Sequence, residues 1–150
     1  MTLKEQLQAD LTTAMKARDE VRLATVRMAL TAVTNEEVAG KQSRELSDDD
    51  VLKVLARELK KRKEAATAFA DAGKQDRADA ELAEAKVLES YLPAQLSDDE
   101  LTALVSAAVD EAGVSGPQAM GAVMKLVQPK VAGRADGSRV AAEVKRHLTP

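Results

Sequence analysis

Cysteine is absent from the 150 residues. That single absence removes disulfides, thiolate nucleophiles and cysteine-based metal sites together, and a reducing cytoplasm suits such a chain. Aromatic residues are 1% of the total, only Phe69 and Tyr91, with no tryptophan. This excludes a core built on aromatic plates, and any nucleic-acid mode that stacks bases on rings. Proline stands at 4 and glycine at 7, so helix breakers are few. No apolar run approaches the roughly 18 residues that would read as a membrane span. The opening Met1-Thr2-Leu3-Lys4-Glu5-Gln6 is amphipathic and charged, without the apolar stretch of a signal peptide. A soluble, cytoplasmic protein is the expectation.

What is present is alanine, leucine and valine within a 45% hydrophobic composition, and alanine and leucine are strong helix formers. Apolar residues recur at three and four residue spacings throughout, the signature of amphipathic helices. Leu3, Leu7, Leu11 and Ala14/Met15 mark a first helix, with Thr2 and Glu5 as a capping box. Leu23, Val26, Leu30 and Val33 mark a second, starting near Asp19 and ending near Gly40. A neighbouring stripe of Val21, Ala24 and Met28 widens its apolar face, which predicts the most buried helix of its bundle. The phrase Leu46-Ser47-Asp48-Asp49-Asp50-Val51 opens a third helix with an N-cap serine, acids at the positive end of the dipole and a hydrophobic staple. It runs through Leu52, Leu55, Leu59, Ala66 and Phe69 to about Gly73. A fourth carries Ala78, Leu82, Ala85, Leu88 and Leu92 up to Pro93, which bars the helical conformation before it.

A similar phrase, Leu96-Ser97-Asp98-Asp99-Glu100-Leu101, opens the fifth helix with a capping box from Ser97 to Glu100. It ends at Gly113. Ser115 and Gln118 read as a further capping box with Pro117 in the first turn. The sixth helix carries Met120, Val123, Met124 and Val127, with Pro129 predicted to end or kink it. Asp136 caps a last helix bearing Val140, Val144 and Leu148. The predicted architecture is all-α: a four-helix bundle over residues 1–93, the link Pro93-Ala94-Gln95, then a three-helix, basic domain over residues 97–150.

Catalytic chemistry finds little footing. Ser47, Ser97 and Ser115 stand at helix starts, where capping accounts for them. His147, the one histidine, sits in the last helical turn, where it complements the dipole. The runs Asp48-Asp49-Asp50 and Asp98-Asp99-Glu100 lack the ligand spacing of a calcium loop. Gly133-Arg134-Ala135-Asp136-Gly137 reads as a turn, since nothing strand-like precedes it as a phosphate loop requires. No catalytic residue, metal or cofactor is assigned.

Basic clustering remains. The chain carries a net charge of -3, yet two segments run against it. From Val51 to Glu64, Lys53, Arg57, Lys60, Lys61, Arg62 and Lys63 face only Glu58 and Glu64. From Gly121 to Pro150, Lys125, Lys130, Arg134, Arg139, Lys145 and Arg146 face only Asp136 and Glu143. Such zones attract phosphate backbones. Without aromatics, recognition rests on backbone and shape, as in structured RNA. The first zone also fits an ordinary solvated helix face, with pairs such as Lys60 and Glu64 absorbing charge.

Three stretches carry a resemblance over nearly the whole chain. They are Arg22 to Leu30; Glu64-Ala65-Ala66 through Phe69 with Glu84 to Pro93; and Met120-Gly121-Ala122-Val123-Met124-Lys125 followed by Pro129 to Gly137. The last is the most specific. The sequence resembles the GatB/YqeY family, and within it the freestanding YqeY-like proteins. The resemblance implies a four-helix bundle joined to a three-helix bundle. In larger family members this module is the tail of GatB, a component of the glutamine-dependent aspartyl/glutamyl-tRNA amidotransferase. There it helps hold the tRNA while amide transfer belongs to another domain. The resemblance implies tRNA-facing roles for Lys125, Lys130, Arg134, Arg139, Lys145 and Arg146, carried by the matching stretch Gly121 to Lys125 and the Ala135-Asp136 turn, with the other basic residues following by position only; it also implies a carbon-nitrogen ligase ancestry with glutamine as amide donor. Two departures stand out. The activating domain of the larger proteins has no counterpart in this chain, and the segment from Leu126 to Arg134, with Pro129, is longer than in the amidotransferase tail. The readings that follow are a tRNA- or structured-RNA-binding module, an accessory that binds a protein partner such as one of the amidotransferase subunits, or a ligase component acting only with partners. An exposed apolar patch would mark the second.

Overall fold

The computed structural model describes residues 1–113, 115–131 and 134–149. Among these the chain is all-helical, with seven α-helices, one 3-10 turn and no strand. It divides into two compact units, Met1–Leu92 and Pro93–Pro150. Ala132 and Gly133, part of the predicted turn before Asp136, lie outside the described residues.

The first unit holds α1 (Leu3–Ala17), α2 (Glu20–Glu37), α3 (Asp48–Asp71) and α4 (Gln75–Glu89). Local chemistry sets the starts. Thr2 and Glu5 make the reciprocal capping box, Asp19 accepts from the Arg22 amide, and the Ser47 hydroxyl accepts from the Asp50 amide. Each fills a backbone donor that the first turn leaves unpaired. Arg18 closes α1 in the left-handed conformation, φ 56°, a region that costs a residue with a Cβ. The core gathers Leu7, Val26, Val33, Val51, Leu55 and Leu88, all within 2% of complete burial. Glu37 is buried at the joint. It takes an ion pair from Lys4 at 2.8 Å and the Leu46 amide at 3.3 Å, and the Lys4 hydrogen bond holds its carboxyl below the usual pKa. The Tyr91 hydroxyl donates to Asp10, joining the end of this unit to α1.

Three expectations change here. The stripe Val21, Ala24 and Met28 is solvent-exposed, because α2 turns Thr25, Val26, Ala29 and Val33 inward instead. Helix α4 stops at Glu89, short of Pro93, and the chain reaches the buried Leu92 through i to i−3 hydrogen bonds. At Glu100 the carboxylate turns toward Arg134 at 3.8 Å, while the Ser97 half of that cap forms.

The second unit holds α5 (Asp98–Ala112), a 3-10 turn Pro117–Ala119, α6 (Met120–Val131) and α7 (Gly137–Leu148). Its core is dominated by valine: Val105, Val123, Val127, Val140 and Val144 are buried to within 1%. Asp136 caps α7 through the Ser138 amide. The predicted capping box from Ser115 does not form. Gly116, at φ 88°, starts the 3-10 turn without a side-chain cap, and Gln118 folds over its α-carbon so closely that a Cβ there would meet Oε1 at 2.9 Å. Pro129 does not end α6, which continues to Val131. The proline sits in the last turn, so one amide donor is lost, and burial of Val127 and Val131 holds that turn in place.

Candidate nucleic-acid interface

The two basic zones separate once their partners are seen. In α3, Arg57 pairs with Glu36 at 3.1 Å, Lys61 with Glu58 at 3.4 Å and Lys63 with Glu89 at 3.2 Å. Arg62 is largely buried and lies 2.9 Å from Glu84, 3.7 Å from Glu81 and 4.0 Å from Glu58. Arg57, Arg62 and Lys63 thus tie α3 to α2 and α4. Lys53 is exposed with no acidic partner among the described residues, and Lys60 is exposed. A zone whose charges are so largely met by carboxylates of its own bundle exerts a weak outward field.

In the second unit the charges divide by element. Helix α5 carries five acids and no cation, while all six lysines and arginines of the unit lie after Gly113. Their surroundings differ. Arg139 donates from Nη1 to the Leu96 carbonyl at 2.9 Å and pairs through Nη2 with Asp98 at 2.7 Å. Arg134 donates from Nε to the Ala94 carbonyl at 3.1 Å, and its own carbonyl accepts from the Leu96 amide at 2.8 Å. Both arginines therefore clamp residues 94–98 onto the start of α7. Lys130 reaches Glu111 loosely, at 3.7 Å, and stays half exposed.

Lys125 on α6 and Lys145 on α7 are exposed, and neither has an acidic partner among the described residues. Around Lys125, Gly121, Ala122, Gln128 and Pro129 are all exposed, and the small Gly121 and Ala122 leave the helix surface low on the side toward the start of α6. Helices α6 and α7 pack against each other. Lys145 stands beside Arg146, which pairs with Glu143 at 2.6 Å while remaining well exposed.

Glu143 is a hub to which the sequence assigned no role. It accepts from Thr102 at 2.8 Å, from Arg146 and, at 3.0 Å, contacts His147 Nε2. The Arg146 hydrogen bonds lower its pKa to about 2. The i, i+3 and i, i+4 spacings to Arg146 and His147 were the available signal; the tie to Thr102 on α5 had none. His147 thus serves the α5–α7 contact. Among the described residues no group of acids and histidine has the arrangement to hold a metal ion, and no helix is long and apolar enough to cross a membrane.

A helical protein of two small bundles, with cations gathered on the last two helices of the second, is the class these observations define. Residues 4–148 match the family described as YqeY-like protein, and the chain belongs to that family. No curated protein matches it.

Proposed function

We propose that this chain binds structured RNA, with tRNA as the ligand class, through the outer faces of α6 and α7. The observation that carries the reading is the pair of exposed, acid-free ammonium groups, Lys125 and Lys145, on two adjoining helices of one small unit. Lys130 and Arg146 flank them and keep exposed charge. The low surface around Lys125 gives a phosphate backbone room to come close. Arg134 and Arg139 serve this surface indirectly by holding residues 94–98. The likeness to the amidotransferase tail supplies tRNA as the ligand. In this reading the chain contributes recognition, and any amide transfer belongs to a partner that carries an activating domain.

Binding of labelled total tRNA at a series of salt concentrations, with duplex DNA as control, tests the proposal. Four phosphate contacts give a slope of log K against log salt of about −3. Lys125→Ala and Lys145→Ala each reduce that slope by roughly one, and the double charge reversal to Glu abolishes binding. Affinity unchanged by the double reversal, or no saturable binding at low salt, refutes it.

A further inference from the structure

Arg62 carries a charge into the first unit, where its donors are poorly met. The side chain is only 12% exposed. Nε lies 2.9 Å from a Glu84 oxygen and 3.7 Å from a Glu81 oxygen. It is buried without a hydrogen bond all the same, as is that Glu81 oxygen, because closeness without alignment does not make one. Nη2 stands 4.0 Å from Glu58, beyond hydrogen-bonding reach, and donates instead to the Met28 sulfur at 3.2 Å. A thioether is a weak acceptor. A largely buried guanidinium that ends on sulfur gains stabilisation from an oxygen at the same place, since charge-assisted bonds to oxygen are the strong ones.

Met28 can supply that oxygen. Met1, Met15 and Met28 are 86%, 54% and 44% exposed, whereas Met120 and Met124 are half-buried. An exposed thioether is open to hydrogen peroxide. The sulfur lone pair attacks one peroxide oxygen, the O–O bond breaks and an S–O bond forms. The departing hydroxide takes the proton of the transferred oxygen and leaves as water. Sulfur is oxidised by two electrons and the peroxide is reduced. Such oxidation ordinarily loosens a fold, because it sets a polar group where an apolar one packed. At Met28 the new oxygen forms beside a guanidinium already aimed at the sulfur, and methionine's flexible side chain lets it turn onto Nη2. Met15, near the end of α1, has no donor at its sulfur among the described residues.

We infer that Met28 is a peroxide-responsive modification site, whose sulfoxide oxygen accepts from Arg62 and tightens the tie between α2 and α3. Arg62 also faces Glu81 and Glu84 of α4, so the added oxygen strengthens a junction of three helices. Sulfoxide reductases reverse the step, which makes the tie one that can be formed and released. The inference concerns the first unit and stands independently of the RNA reading.

The test treats the full chain with limited hydrogen peroxide and reads oxidation at each methionine by peptide mass spectrometry. Thermal unfolding is followed before and after by the fluorescence of Tyr91, the one tyrosine, which packs against the core of the first unit. Met28 should be oxidised along with Met15, ahead of Met120 and Met124. Met28→Leu, treated alike, carries the effect of the other methionines. With that effect subtracted, oxidation should raise the Tm of the native chain by roughly 2 °C or more. It should not raise that of Arg62→Lys, which keeps the charge and loses the fork. A readout that needs no Arg62 variant is nuclear magnetic resonance of the Arg62 guanidinium protons. On oxidation they should shift and exchange more slowly with water in the native chain, and stay unchanged in Met28→Leu. Three results each overturn the inference: Met28 untouched by peroxide that oxidises Met15, a Met28 contribution that leaves Tm unchanged, lowers it or is equal in Arg62→Lys, or guanidinium protons indifferent to oxidation.

Discussion

Replacing Arg139 with methionine tests whether the clamp on residues 94–98 is structural. Methionine keeps most of the apolar stem while removing both hydrogen bonds. The bond to the Leu96 carbonyl, 2.9 Å and partly buried, has a charged donor, and such bonds contribute about 1.5–3 kcal/mol. The pair with Asp98 contributes much less. Asp98 is 95% exposed, and pairs in water are worth about 0–1 kcal/mol. Arg139 is itself 34% exposed, so the lower part of the range applies, and Arg139→Met should cost about 1.5–2 kcal/mol. Asp98→Asn should cost no more than about 0.5 kcal/mol, including its small favourable effect at the helix start. Urea unfolding by far-ultraviolet circular dichroism measures both, with hydrogen exchange of α5 and α7 amides placing the loss in the second unit. In a unit of this size the change lowers Tm by roughly 6 °C or more. A loss under about 0.5 kcal/mol, or equal costs for the two variants, would refute the reasoning. The first outcome would mean the carbonyl bond is replaced by water; the second would mean the ion pair matters more than the bond.

Three further outcomes follow from the same structure. Arg18→Gly should stabilise the first unit by about 0.5–1 kcal/mol in urea unfolding, because φ 56° is free for glycine and costly for arginine; a destabilised variant would show that the Arg18 side chain holds something. Leu55→Ala should cost about 3–4 kcal/mol, since Leu55 is completely buried and its loss leaves a cavity; a cost below about 1.5 kcal/mol would mean that the bundle collapses around the gap. The Glu143 carboxyl has a pKa of about 2 when folded, against 4.5 for an ordinary glutamate. Its contribution is therefore fully present above about pH 4.5 and is lost as pH falls toward 2. The gap in unfolding free energy between the native chain and Glu143→Gln should narrow across that window, and a gap constant from about pH 6 to about pH 2 would remove Glu143 as the hub.

Legibility followed the range of the interaction. The side chains of Thr2, Asp19, Ser47, Ser97 and Asp136 all accept from an amide two or three residues on, and each cap was visible as a residue type at a fixed offset. Ser115 failed as a cap because Gly116 took a positive φ that the serine pattern did not reveal. Pro129 reads as a stop because a proline within a helix is costly, yet α6 runs on to Val131, with Val127 and Val131 buried in the core of the unit. The width of the α2 apolar face could not say which half is inward. That depends on where α1, α3 and α4 stand, and they cover Val26 and Val33 and leave Met28 in water.

The candidate site shows the same division. Lys125 and Lys145 were legible as cations, but not as unpaired ones, since pairing is a property of the neighbours. Arg134 and Arg139 looked equivalent to them in the sequence and differ only because residues 94–98 return to meet them.

The sequence by itself determined the all-helical class, the helix starts and the residues carrying charge, because periodicity and capping act within a few positions of the chain. Only the tertiary structure decided which cations remain exposed without partners, which stripe of α2 faces water and how Glu143 joins Thr102 to His147. Those contacts join residues dozens of positions apart, 43 for Arg139 and Leu96 and 41 for Thr102 and Glu143. No local pattern encodes them, since they arise when packing of the apolar faces brings distant backbone together.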